Sequence, residues 1–259
     1  MIRKTWSKDK WLLTAQCEHA RLSGLMAASW NFPGEKPCDE AIYAIGHHDD
    51  GWKEADAHPR IDNEGQPENF DQTPLHVATE IWHRSAQNLA DHDKRYGASL
   101  VSGHFLKLIE NANMARMAVR DAVAMGKYMG QERNRAEHAR NNDMNSDNPD
   151  NKSRWEAFDQ NLRFLQVMDL LSLYLCTDFT GEANIENVPY LADGKDSIKI
   201  FRKGTGLTLS LDPLPFKKNV RDHLTSWMIP SRPLTSTKEL TTILEASKPV
   251  TNEIHLGAM

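Results

Sequence analysis

The stretch "RWEAFDQNLRFLQVMDLLSLYLC", residues 154–176, carries the strongest apolar helical pattern in the chain, yet it puts a carboxylate on the face that must be buried. Steps of four and seven residues back from Asp169 reach Leu165 and Leu162, and seven forward reach Cys176. A buried charge needs something to offset its lost hydration: hydroxyls such as that of Ser172, a helix N-terminus or a metal ion. Any fold adopted by this chain has to bring such a partner to Asp169.

The same conflict recurs elsewhere. In "AIGHHDDGWKEAD", residues 44–56, His48 and Asp49 follow directly on a short apolar run. His104 shares a helical face with Leu100, Val101 and Leu108, and His19 shares one with Ala15, Leu22 and Met26. Each of these residues alone is also explained as a satisfied core residue. His76 lies on a face with Thr79, Glu80 and His83, a pattern equally compatible with a solvated helix side. A second His-Asp pair, His92 and Asp93, sits among charges in "ADHDKRY" and reads as a solvated helix end. Taken together, His19, His48 with Asp49, His104 and Asp169 fall on separate expected helices, with His76 as an addition. Convergence on one or two divalent ions would satisfy them jointly. Mixed imidazole and carboxylate donors suit iron, manganese, nickel or zinc better than calcium.

The pattern predicts a mainly α chain. After an extended start at "KWLLT", helices are expected from Gln16 to Trp30, from Asp39 to near Gly51, over "TPLHVATEIWHRSAQNLA", over "ASLVSGHFLKLIENANMARMAVRDAVAM" and through Asp169. The segment "ADAHPRIDNEGQPENFDQT" reads as a loop, and the polar residues 130–153 as a linker excursion. Beyond about residue 185 come the β-like runs "SIKIF" and "GLTLSL", a helix at "TKELTTILEASK" and a final "NEIHL". The expected division is a helical metal-binding core over 1–180 and a small α+β C-terminal extension over 181–259.

Composition narrows the partners. A formal net charge of -5 and a pI near 6.1 leave no basic footprint for a nucleic acid. The longest apolar run, "FLQVMDLLSLYLC", is interrupted by Asp169 and too short to span a bilayer. Cys17, Cys38 and Cys176 are an odd number without CxxC spacing, which fits a reducing compartment, the cytoplasm by default. A small molecule is the expected partner; the oligomeric state is left open. Trp30, Trp52 and Trp82 are read either as core or as the lining of a pocket for a ring-shaped ligand.

The order His, His-Asp, Asp on successive helices resembles the HD superfamily of metal-dependent phosphohydrolases, and the intermediate histidines resemble its two-metal branch. "HDDGW", residues 48–52, looks like a variant of that superfamily's "HDIGK"-type motif, with Trp52 in place of the lysine and Lys53 one residue off. More closely, "QCEHARLSG", "HHDDGW", "LHVATEIW", "LVSGHF" and "LQVMDLLSLYLC" together resemble an uncharacterised bacterial family classed as a domain of unknown function. The resemblance implies an HD-domain-like helical core in which His19, His48, Asp49 and Asp169 hold a first metal, with Asp49 linking it to a second held by His76 and His104. Asp49 and Asp50 are then the catalytic candidates, with Asp50 or Glu18 moving protons. It implies hydrolysis of a small phosphate ester by metal-activated water. The alternatives are a di-iron oxygenase, since the same ligand order resembles inositol oxygenase, and a non-catalytic metal- or ligand-binding protein.

Overall fold

The computed structural model describes residues 1–110, 112 and 117–259. Two strands open the chain, β1 (Ile2–Ser7) and β2 (Lys10–Thr14), followed by α1 (Gln16–Ser29) and α2 (Asp39–His47). A single 3-10 turn over Asp50–Trp52 leads into the short α3 (Lys53–Ala57). The helices α4 (Leu75–Asp91), α5 (Arg95–Ile109), α6 (Val119–Met144), α7 (Pro149–Glu156) and α8 (Phe158–Cys176) come next. Strands β3 (Gly181–Ile185), β4 (Ile198–Arg202), β5 (Thr208–Asp212) and β6 (Val220–Pro230), helix α9 (Thr237–Ala246) and strand β7 (Val250–Ala258) complete it.

A mainly α, HD-like core with a small extension is not what forms. About 51% of the chain is helical and 20% is strand, and the strands make one curled seven-stranded sheet in the order β1-β2-β6-β7-β5-β4-β3. Among the described residues only β5 and β7 pair in parallel. The reason is pairing between distant parts of the chain: Trp11 to Leu13 of β2 lie opposite Trp227 to Ile229 of β6. In β4 and β5 the inward positions Ile198, Ile200, Leu209 and Leu211 alternate with exposed ones, so one face of the sheet has to be covered. It is covered by the helices, since these residues belong to the same buried cluster as Leu22, Leu100, Leu165 and Leu171.

The polar stretch 130–153 also differs from expectation, because most of it is helix, in α6 and α7. Its anchors are polar rather than apolar. Glu132 is fully buried and accepts hydrogen bonds from His83 Nδ1 (2.5 Å), Arg135 Nε (2.9 Å) and Ser102 Oγ. Asp143 likewise receives Trp155 Nε1 at 2.8 Å. The single helix expected over 98–125 is divided between α5 and α6; residues 111 and 113–116 of that expectation lie outside the described residues. Among the described residues no helix is long and apolar enough to cross a membrane.

Two close backbone approaches set the helices that carry the ionisable residues. A Cβ on Gly24 of α1 would lie 2.6 Å from the Cα of Gly46 in α2, so these helices touch backbone to backbone. A Cβ on Gly51 would lie 2.1 Å from the Ile81 carbonyl oxygen and 2.7 Å from the Ser85 nitrogen of α4, where the Gly51 N–H donates to Ser85 Oγ (3.0 Å). At its far end, α8 is held by Arg202, a buried guanidinium that donates to the carbonyls of Tyr174 (2.5 Å), Leu175 (3.3 Å) and Thr177 (3.1 Å). This satisfies helix-terminal acceptors and places a cation where the helix dipole is negative.

Gly51→Ala is expected to lower stability by about 1–3 kcal/mol in urea unfolding, because the new methyl meets backbone rather than a movable side chain. Unchanged stability would mean that the turn after Asp49 can move away from α4 without cost.

Candidate metal centre

Four elements place the ionisable residues. His19 lies one turn into α1, His48 caps α2, Asp49 follows it before the 3-10 turn, His104 is on α5 and Asp169 on α8. The three histidines and Asp49 are at most 5% exposed, and the Asp169 side chain is 15% exposed. His19 Nε2 stands 3.2 Å from Asp169 Oδ1 and 3.3 Å from Asp49 Oδ2. His48 Nε2 stands 3.3 Å from Asp169 Oδ1 and 3.7 Å from Asp49 Oδ2, and His104 Nε2 is 3.7 Å from Asp169 Oδ2. Two overlapping triads, His19 with His48 and Asp49, and His48 with His104 and Asp169, each have ligand-capable atoms within 4.8 Å of one another.

This donor set fits a divalent ion. Ligand atoms about 2.1 Å from one ion are spaced about 3.0–3.4 Å apart on a tetrahedron or octahedron, close to the shortest separations here. Two of the imidazoles, His48 and His19, are aimed by bonds on their far nitrogens. His48 Nδ1 lies 2.8 Å from the Ile45 carbonyl oxygen, which can only accept, so Nδ1 carries the proton and a neutral ring has its lone pair on Nε2. That Nε2 is buried and has no hydrogen-bond partner, although Asp169 is close by. His19 Nδ1 meets Ser172 Oγ at 2.5 Å, and that hydroxyl donates to the Asp169 carbonyl at 2.8 Å. The Ser172 hydroxyl expected to satisfy the Asp169 carboxylate therefore orients His19 instead.

Burial opposes a charge on His19, but the hydrogen bonds and charges of Asp169 and Asp49 outweigh it and raise its pKa to about 9. His48 is shifted upward too, against burial, by Asp49 and Asp169. Burial dominates at His104 and pushes it down to about 4. Asp169 is held well below the usual carboxylate range, because His19 and His48 overcome the burial that would raise it.

His19, Asp49, His104 and Asp169 of this cluster form the floor of a cavity of about 440 Å³, with His48 behind them. Trp52, Phe70, Leu75, Trp82 and Phe105 are among its walls, with Trp82 and Phe105 stacked at 5.0 Å and 9°. Trp30 is elsewhere, packed edge-on against Phe164 in the core. Asp49, Asp71 and Asp169 line the cavity, while among the described residues no Lys or Arg does.

Three expected site residues stand apart from this floor. His76 Nδ1 is 2.7 Å from Asp121 Oδ1, which also accepts the His76 backbone N–H, and His76 belongs to neither triad. Asp50 turns to another groove, where Oδ2 pairs with His47 Nδ1 and Lys53 Nζ, both at 3.0 Å. Burial raises the Asp50 pKa, but these two partners outweigh it and the net shift is downward. Glu18 lines that groove too, accepting from Arg21 Nε at 3.0 Å. Sequence reasoning passed over Gln16 and Phe105, both lining the cavity. The available signal was spacing: Gln16 is one helical turn before His19, and Phe105 adjoins His104.

A family profile described as "Protein of unknown function (DUF3891)" matches residues 1–228. No curated protein and no solved structure matches the chain.

Because His19 holds its proton up to about pH 9 without an ion, a metal has to displace it at neutral pH. Loading the chelator-treated protein with Mn²⁺ or Zn²⁺ at pH 7.5 should release protons, and affinity should fall by about tenfold per pH unit for each proton displaced as the pH drops. Calorimetry in buffers of different ionisation enthalpy checks this. Binding without proton release would remove His19 from the ligand set.

Proposed function

The chain belongs to the DUF3891 family, and from the geometry of its own residues we propose that it is a metal-dependent hydrolase acting on a small phosphate ester. The observation that carries this reading is the clustering of His19, His48, Asp49, His104 and Asp169, of which all but His48 line a cavity with room for a ring-sized group. A divalent ion in such a site acts as a Lewis acid toward a phosphoryl oxygen and lowers the pKa of bound water toward neutrality. His19, His48, Asp49 and Asp169 would hold it, with His104 completing the set. Asp49, Asp71 and Asp169 are the carboxylates that line the cavity and could accept a proton there, whereas Asp50 and Glu18 line a different groove. The aromatic and aliphatic walls exclude water and hold the leaving group. Free thiols at Cys17, Cys38 and Cys176 support a cytoplasmic setting for this chemistry.

Charge narrows the ester. Asp49 and Asp169 contribute two negative charges that one divalent ion only neutralises, and no Lys or Arg among the described residues lines the cavity. A phosphodiester, a monoanion, therefore suits the site better than a dianionic monoester. The same lack of cations favours a second reading, an oxygenase acting on an uncharged ring-shaped substrate.

The test incubates protein purified without chelator with bis(4-nitrophenyl) phosphate and with 4-nitrophenyl phosphate while oxygen is monitored. Nitrophenol release should be faster from the diester. Asp169→Asn should lose metal and at least about 100-fold in rate, and Asp93→Ala, in the exposed His-Asp pair, should keep both. Full activity in Asp169→Asn would overturn the reading, and oxygen uptake without nitrophenol release would favour the oxygenase.

A further inference from the structure

One polar side chain of the cavity is used neither by the fold nor by the ligand set. Gln16 is 1% exposed and lines the cavity one helical turn before His19, yet its buried Oε1 has no hydrogen-bond partner. Its backbone is fixed, with the N–H donating to Asp56 Oδ2 at 2.6 Å, so the side chain projects from a rigid base. A buried amide oxygen left without a donor is unfavourable, and is retained most readily where a ligand supplies one. Whichever way the amide is turned, it presents a donor and an acceptor side by side. The opposite requirement comes from the walls: Trp52, Phe70, Trp82 and Phe105 offer flat apolar surface and the lining carries no Lys or Arg among the described residues.

We infer that Gln16 is a selectivity residue of this cavity, pairing its carboxamide with an amide-type edge, an N–H beside a C=O, on a flat and uncharged ring held against the aromatic walls. The inference rests on the proposed hydrolase reading in that this ring would be the leaving group of the ester. An aliphatic or purely hydrocarbon ring would fill the space but leave Gln16 unpaired, and an anionic ring would meet Asp49, Asp71 and Asp169. A carboxamide can satisfy an amide edge with two parallel bonds, which neither a hydroxyl nor a carboxylate in its place reproduces.

Benzamide and toluene are suitable probes, with dissociation constants measured by NMR titration on the full chain, wild type and two variants. Gln16→Leu removes the carboxamide, and Gln16→Glu keeps its shape but cannot donate once its carboxyl is ionised, so the titrations are run at a pH high enough to ionise it. Benzamide should bind the wild type at least about tenfold more tightly than either variant, while toluene binds the wild type no more tightly than Gln16→Leu. Equal benzamide affinity in wild type and Gln16→Glu overturns the inference, as does metal loss in Gln16→Leu with metal retained in Gln16→Glu, which would make Gln16 a ligand instead. Metal content, read on the same samples, separates the two claims. Benzamide discrimination in a protein that binds no metal would leave Gln16 standing and remove the hydrolase reading; bound metal without discrimination would do the reverse.

Discussion

Two carboxylates and three imidazoles gather into two overlapping, largely buried triads that share His48, and the cost of removing them from water governs much of the surrounding architecture. Burying any one of them alone costs several kcal/mol, roughly the whole net stability of a domain of this kind. Held together, each offsets another: His19 lies between Asp49 and Asp169, and His48 approaches the same Asp169 oxygen. The arrangement is still incomplete as a set of hydrogen bonds, since His48 Nε2 and His104 Nδ1 have no partner. For His48 the free nitrogen faces the carboxylates, where a divalent ion would take up the lone pair.

Keeping four elements converged there demands rigidity, and the chain supplies it with backbone contacts. Gly24 against Gly46 sets the distance between α1 and α2, and Gly51 against α4 fixes the turn that follows Asp49. Arg202 secures the end of α8 that lies beyond Asp169. The sheet thereby contributes to the centre at a distance, because β4 carries Arg202 and the β1–β2 hairpin delivers the chain directly into α1.

That His19, His48, Asp49, His104 and Asp169 come together was legible in the sequence, and the sheet was not. Asp169, His104 and His19 stand on apolar helical faces, and helical periodicity is local, so a few residues on either side reveal the conflict. His76 had no such signature, and its imidazole is taken by Asp121, 45 residues away. The sheet was missed because its pairing is non-local: nothing in "KWLLT" announces that its partner is β6, more than 200 residues later. Residues 130–153 misled for a different reason, since α6 buries Glu132 among His83, Ser102 and Arg135, and a helix anchored by charge leaves no apolar stripe to read. Gln16 is the remaining lesson, because a glutamine at a helix start looks like surface until the cavity beside it is seen.

The central claim, that these residues form one divalent-metal site, is tested most directly by element-specific anomalous diffraction on crystals of protein purified without chelator. The account predicts a peak about 2.0–2.2 Å from His19 Nε2, His48 Nε2 and an oxygen each of Asp49 and Asp169. A peak elsewhere, or a well-ordered cluster in which water or direct hydrogen bonds satisfy His48 Nε2 and no ion is bound, would contradict it.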